Sequence, residues 1–215
     1  MTYTITNHLL NVHQHPSPNH GGEITPEIIV MHHTAGWPDG KGSVSWLCNP
    51  DAKASAHLVI NHDGEATQLV PFNLRAWHAG ASSSRYNNQL PNDIGIGVEL
   101  ANPGRLVKRD DGRYEQRGNS GMVFSDKDWD IRWFEAPWDK GHFLAFSDKQ
   151  LLAATEIGTL LARIYTLTAA TTHQCCDPTR KMDPHPGYNA EAYSTAIFAD
   201  VVWETSVREP GEVKK

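Results

Sequence analysis

Twelve histidines in 215 residues are the first feature of this sequence that invites chemistry. Imidazole carries protons near neutral pH and is the commonest metal ligand among side chains. Two histidine-bearing segments frame the chain. His32 ends the apolar run Glu27-Ile28-Ile29-Val30-Met31-His32-His33, and His173 opens a stretch to Gly187 that also holds Cys175, Cys176, Lys181, Asp183 and His185. A catalytic zinc site needs three ligands drawn from His, Asp, Glu and Cys, with one corner left for water. Two histidines on rigid elements and one ligand from a loop held by Pro178, Pro184 and Pro186 would meet that need. Spacing alone leaves buried, merely structural histidines as an equally open reading. His13, His15 and His20 lie around Pro16 and Pro18 in an extended segment where nothing orients the rings, so a metal site is not expected there.

Pattern along the chain shows which elements must position these side chains. Residues 28–33 are a short β-branched run between Pro26 and Thr34-Ala35-Gly36, which predicts a buried strand. In it His33 faces away from His32 and is expected to be structural. Ala56–Ile60 and Glu65–Val70 flank Asn61-His62-Asp63-Gly64, predicting a hairpin that turns at Asp-Gly and carries His57. Ile94–Leu100 predicts a second buried strand, where Gly95 and Gly97 imply close approach of a backbone or a ligand. Ser147 and Gln150 form a capping box before a helix with Ala153, Ile157, Leu160, Leu161 and Ile164 on one face. Another helix is expected over residues 190–205, with Ala192, Ala196, Ala199 and Trp203 on one side, and a short one near Ser43–Leu47.

Strands interleaved with helices predict an α/β fold, a single domain with a central mixed β-sheet flanked by helices. Residues 1–24 read as a polar N-terminal arm, 25–205 as the domain, and 206–215 as a loose tail. Residues 103–146 read as a long insertion. Arg105–Arg117 could form a polar hairpin turning at Asp111-Gly112, and Trp129, Trp133, Phe134 and Trp138 sit among charges. These aromatics suggest a binding flap or, equally, a loop that tucks its tryptophans onto the core.

Composition removes several function classes. Nineteen Lys+Arg against 25 Asp+Glu give a net charge of −6 without basic runs, which argues against a nucleic-acid partner. No window approaches the ~18 apolar residues of a membrane span. The N-terminus lacks the basic and apolar regions of a secretory signal, so synthesis in the cytoplasm is expected. Three cysteines, two of them adjacent, cannot build a disulfide framework.

Six segments, in order, resemble one family. They are Ile29-Val-Met-His32-His-Thr-Ala-Gly36, Ser55-Ala-His57-Leu-Val-Ile60, Asp63-Gly64, Arg75-Ala-Trp77-His78-Ala-Gly80, Asn92–Leu100 with Glu99, and His173 followed by Lys181 and Asp183-Pro184. Together they resemble the zinc-dependent N-acetylmuramoyl-L-alanine amidases of the type-2 amidase family. That family includes phage endolysins, cell-wall recycling amidases and peptidoglycan recognition proteins. The resemblance implies Zn²⁺ on His32, His173 and Asp183, Glu99 as the acid–base residue beside a metal-bound water, and Lys181 near the scissile carbonyl. It places Trp77 and His78 at the cleft rim, where core packing is the rival reading. Asn102 is a further cleft candidate, and His57 either contacts substrate or belongs to the core. Some members use Cys as third ligand, which keeps Cys175 and Cys176 in view, although Asp183 holds the family spacing from His173.

The function so implied is hydrolysis of the amide between the lactyl group of N-acetylmuramic acid and L-alanine of the peptidoglycan stem. The alternatives are a non-catalytic peptidoglycan-recognition module of the same fold and an unrelated metallohydrolase acting on a small amide. The expected partner is peptidoglycan or a muropeptide. An endolysin passing through a phage holin pore, an exported effector and a cytosolic recycling enzyme all remain compatible with the sequence.

Overall fold

The computed structural model describes residues 2–80 and 84–199, apart from the side chain of Ser120. Trp203 and the 206–215 tail of the sequence reading lie outside the described residues. From the N-terminus come β1 (Ile5–Thr6), β2 (Leu9–Leu10), β3 (His13–Gln14) and β4 (His20–Glu23). Next are β5 (Ile28–His33), α1 (Lys41–Leu47), β6 (Leu58–Ile60), β7 (Ala66–Gln68), β8 (Leu74–Ala76), α2 (Pro91–Ile94) and β9 (Gly95–Leu100). Residues 103–146 supply β10 (Arg105–Lys108), β11 (Tyr114–Gln116), β12 (Asn119–Phe124), β13 (Ile131–Ala136) and β14 (Asp139–Leu144). The chain then forms α3 (Asp148–Tyr165), β15 (Ala169–Thr172), α4 (His173–Cys176) and α5 (Ala190–Phe198).

The central sheet runs in the order β15-β5-β9-β6-β7-β3, parallel except at the β6–β7 hairpin, where Gly64 takes a positive φ of 89° at the predicted turn. Side-chain alternation separates its two faces. Ile29, Met31, Ile96, Val98 and Leu100 meet Ile157 and Leu161 of α3 and Tyr193 and Ile197 of α5 in the main core. Each such fully buried aliphatic side chain contributes roughly 1.5–3 kcal/mol. The opposite face carries Ile28 and Val30, packed on Ile94 and Cys176, and then His32. One apolar row of β5 therefore ends in an imidazole.

The α/β class, both buried strands, the hairpin and α3 agree with the sequence reading. Ser147 caps α3 by accepting from the Gln150 backbone N–H at 3.1 Å. The Gln150 side chain does not close the box; it donates to the carbonyls of Ile60 at 2.8 Å and Ala101 at 3.2 Å, fastening the helix to the sheet. Ile164, expected in the buried stripe, is exposed.

Three further expectations are corrected. Residues 2–24, expected as part of an arm, are built into the fold: β3 pairs with β7, β4 pairs with β8, and Leu10 is buried in the main core. Strands this short rest on backbone pairing and carry no periodic signal. Helix α5 buries Tyr193 and Ile197, while Ala192, Ala196 and Ala199 face solvent, because the larger side chains gain more from burial. Residues 103–146 are an ordered antiparallel sheet in the order β12-β11-β10-β14-β13. The expected Arg105–Arg117 hairpin lies within it, its turn closed by Arg109 N–H donating to the Arg113 carbonyl. Leu106, Tyr114, Met122 and Phe124 give this sheet a small core of its own, with Trp129 packed on it and Trp133 exposed.

Candidate active site

The site is assembled from the ends of β5 and β9 and the loop that follows β15. In the parallel pairing of β5 with β9, His32 lies opposite Glu99, so both project from the same face of the sheet. Thr172 caps α4 by accepting from Cys175 N–H at 3.1 Å, which sets His173 at the helix start. The loop back to Asp183 is pinned inside: Arg180 donates to buried Asp177 at 2.8 Å, and Gln174 N–H donates to the Asp183 carbonyl at 2.8 Å. Three side-chain atoms then converge. His32 Nδ1 and His173 Nδ1 are 2.9 Å apart, and Asp183 Oδ2 is 3.1 Å from the first and 3.0 Å from the second.

Proton bookkeeping shows what this triangle can hold. His173 Nε2 lies 3.1 Å from the Ala79 carbonyl, which can only accept, so Nε2 carries the proton and Nδ1 is bare. His78 Nε2 likewise donates to the Gly95 carbonyl at 3.2 Å, leaving His78 Nδ1 to accept from His32 Nε2 at 3.0 Å. His32 Nδ1 is then bare as well. Burial favours this neutral form, lowering the pKa of His32 to about 4 and that of His78 well below the ordinary value. Burial would raise the Asp183 carboxyl, but a proton taken up on Nδ1 of either His173 or His32 would be donated to it, which holds the carboxylate well below its usual range. Three lone pairs thus face one another with no proton between them, an arrangement that a cation relieves. A tetrahedral zinc site with ligands at about 2.0–2.1 Å has edges of about 3.3 Å, close to this triangle. The donor set fits a divalent metal.

Glu99 Oε2 is buried without a hydrogen-bond partner on the same face. Burial, and then the Asp183 charge, push the Glu99 carboxyl up to about 8, while Lys181 opposes them. An acid–base group with a pKa near neutrality therefore sits beside the triangle.

Comparison with known proteins agrees with this geometry. Residues 22–186 match the Amidase_2 family model, N-acetylmuramoyl-L-alanine amidase. The chain belongs to this amidase family. A curated relative, the 1,6-anhydro-N-acetylmuramyl-L-alanine amidase AmpD of Escherichia coli K12, is 32% identical over 128 residues, 50% of this chain and 68% of the relative. N-acetylmuramoyl-L-alanine amidase A of Achromobacter lyticus is 44% identical over 52 residues, 24% of this chain and 28% of the relative. Among solved structures, a selenomethionine derivative of AmpD superposes with a TM-score of 0.58 at 23% identity, covering 90% of this chain and 98% of that one. The Escherichia coli amidase AmiD, in complex with the substrate anhydro-N-acetylmuramic acid-L-Ala-D-γ-Glu-L-Lys, has a TM-score of 0.57 at 23% identity, covering 81% and 58%. These structural likenesses establish the shared fold.

The remaining sequence candidates divide within the amidase fold. Lys181 and Trp77 line a cleft of about 380 Å³ that reaches His173, together with Lys53 and Arg75, the latter paired with Asp93. His78 lines the same cleft from below, buried and turned under His32. His57 is a core residue: its Nδ1 accepts from Gly97 N–H at 2.9 Å and its Nε2 donates to the Leu74 carbonyl at 2.9 Å. Asn102 is fully buried and donates to the Leu144 carbonyl at 2.9 Å, so it fastens the second sheet and does not line the cleft. Cys175 is exposed, while Cys176 packs beneath the sheet with its thiol pushed up to about 12 by burial; neither joins the triangle. His33 faces the other way, as expected, and its Nδ1 accepts from His185 N–H at 3.2 Å. Two supports of the site lie within the resembling segments, at positions that the sequence does not single out as functional. Asn92 accepts from the backbone N–H groups of His78 and Ala79, and the Ala79 carbonyl accepts from His173.

Proposed function

We propose that this amidase is a zinc hydrolase that cleaves the bond between the lactyl carbonyl of N-acetylmuramic acid and the nitrogen of the stem L-alanine, with Zn²⁺ held by His32, His173 and Asp183. The convergence of two unprotonated imidazole nitrogens and a carboxylate oxygen carries this reading. When bound, Zn²⁺ supplies Lewis-acid chemistry, lowering the pKa of a water to about 7 and polarising a carbonyl. Glu99, unpartnered on the same face, takes the proton of the attacking water. As the new C–O bond forms and the C–N bond breaks, it delivers that proton to the departing amine. Lys181 sets a positive charge toward the oxygen on which negative charge grows. His78 and the Ala79 carbonyl hold the two ligand imidazoles in the tautomer that leaves Nδ1 free. A recognition module would have no need of an intact ligand set beside an acid–base carboxyl, so the same observations favour catalysis over binding alone.

The test is Glu99→Gln. The variant should retain about one zinc per chain by elemental analysis. Its release of L-alanyl peptides from muropeptides, followed by mass spectrometry, should fall by roughly 10²–10⁴-fold. Undiminished release would remove Glu99 from the reaction, and activity that survives exhaustive chelation would remove the metal. Fragment spectra from intact sacculi and from soluble muropeptides, run side by side, assign the physical form of the substrate.

A further inference from the structure

Two clefts of different chemistry end on residues of the site, one on His173 and the other on Glu99. The one that reaches His173 is basic, with Lys53, Arg75 and Lys181 in its wall. The other, about 290 Å³, opens onto Glu99 and contains no cationic side chain in its lining. Its walls are indoles and small polar groups: Trp37 and Trp46 are 44% and 57% exposed, with Ser43 between them on the wall. The second sheet closes it, because Asn119 and Met122 of β12 line the far side and Phe124 of the same strand lies 5.3 Å, ring to ring, from Trp37. Gly36 lies close under α1: a Cβ there would stand 2.5 Å from Ser43 Oγ and turn that hydroxyl aside.

We infer that this aromatic cleft is a saccharide subsite, and that β12 makes the inserted sheet a specificity wall for the sugar side of the substrate; the inference rests on the amidase reading above. The scissile amide joins an uncharged, ring-shaped sugar to a peptide whose later residues carry carboxylates. A neutral cleft with indole faces and hydroxyl or amide groups at its edge suits a pyranose ring, which offers C–H faces for stacking and equatorial oxygens for hydrogen bonds. The carboxylates of the stem suit the lysine- and arginine-bearing cleft on the other side. Glu99 lines the aromatic cleft, so a ring seated there sets its lactyl link toward the acid–base carboxyl.

The test uses zinc-loaded protein and two kinds of probe. Tri-N-acetylchitotriose, which the enzyme has no amide to cleave, should shift the tryptophan fluorescence, and Trp46→Ala should abolish most of that shift. Kinetically, Trp46→Ala should lower kcat/KM for an N-acetylglucosaminyl-N-acetylmuramyl peptide by about tenfold or more, mainly through KM. A D-lactyl-L-Ala-γ-D-Glu-L-Lys peptide without sugar should be unaffected. Asn119→Glu, which puts a charge into the β12 wall at an exposed position, should reproduce the split without touching an indole. Equal loss on both substrates, chitotriose binding that ignores Trp46, or a fluorescence shift caused by the sugar-free peptide would each overturn the assignment. Trp46-dependent sugar binding in a protein that cleaves neither substrate would uphold the subsite and defeat the amidase reading.

Discussion

Gly97 is the least conspicuous residue of the site and one of the most constrained. A Cβ there would lie 2.4 Å from the His78 ring, and one at Gly95 would meet the Pro91 carbonyl at 2.5 Å. The bare backbone of β9 is the bed on which His78 rests, and through His78 it fixes the tautomer of His32. Gly97→Ala should therefore displace the ring, turn His32 and weaken zinc binding by about 10–100-fold, although residue 97 touches no ligand atom. Chelator competition checks this against Gly22→Ala, where the new methyl has nothing within 4 Å. Unchanged zinc affinity in Gly97→Ala would dismiss the cradle. Part of this was legible in the sequence. Two glycines in an apolar strand announced a close approach, and His32, His173 and Asp183 were readable because ligand types recur within recognisable segments. That the approaching group is an imidazole, and that it serves the metal site from below, depends on a contact between distant segments that no local pattern encodes.

At the scale of elements, the loop carrying Asp183 is braced by the sheet that the sequence disclosed least. His185 is sandwiched between Phe146 and Phe143, at 4.3 and 4.6 Å between ring centroids, and its Nε2 donates to the Leu144 carbonyl at 3.1 Å. The same carbonyl accepts from Asn102, so the end of β14, the residue after the β9 strand's neighbour Ala101 and the metal loop are fastened at one point. Replacing His185 with Ala removes the stack and leaves a cavity, which should destabilise the fold by about 2–4 kcal/mol. It should also loosen Asp183, so zinc should be lost at lower denaturant concentration than that which unfolds the chain. His185→Phe restores the packing without the hydrogen bond and should recover most of the stability but not all of the zinc retention. If His185→Phe retains zinc as well as the wild type does, the hydrogen bond plays no part in holding the loop. The sequence hid this brace because β13 and β14 mix charged and aromatic residues without a period-2 pattern, as in Arg132-Trp133-Phe134-Glu135. Their buried side shows only in three dimensions, where Phe143 and Phe146 stack on His185 of the metal loop. Strands β5 and β9, buried on both faces, were plain for the opposite reason: their apolar runs need no partner to be recognised.

At the scale of the whole molecule, the active site works against the stability of the fold that carries it, and pH exposes the conflict. Folding keeps Glu99 protonated up to about 8, whereas an unfolded Glu titrates near 4.5. Between those values the folded state binds the extra proton, so this group's contribution to stability is full below about 4.5 and is lost as pH rises through about 8. The buried imidazoles act with the opposite sign. His32 and His57 are lowered by burial from 6.5 to about 4, so the unfolded state takes up protons first and stability rises with pH across that window. Metal-free protein should accordingly weaken on acidification from 6.5 toward 4, and above neutrality the Glu99 carboxylate becomes the costly group. Glu99→Gln keeps the shape and removes that titration. The variant should match wild type near pH 5 and exceed it by roughly 1–3 kcal/mol at pH 8, while losing catalysis. Urea unfolding of both proteins, freed of metal and measured from pH 5 to pH 8, tests this directly. A stability gap that stays constant with pH would mean that Glu99 already ionises freely in the folded, metal-free chain and that burial does not hold its proton.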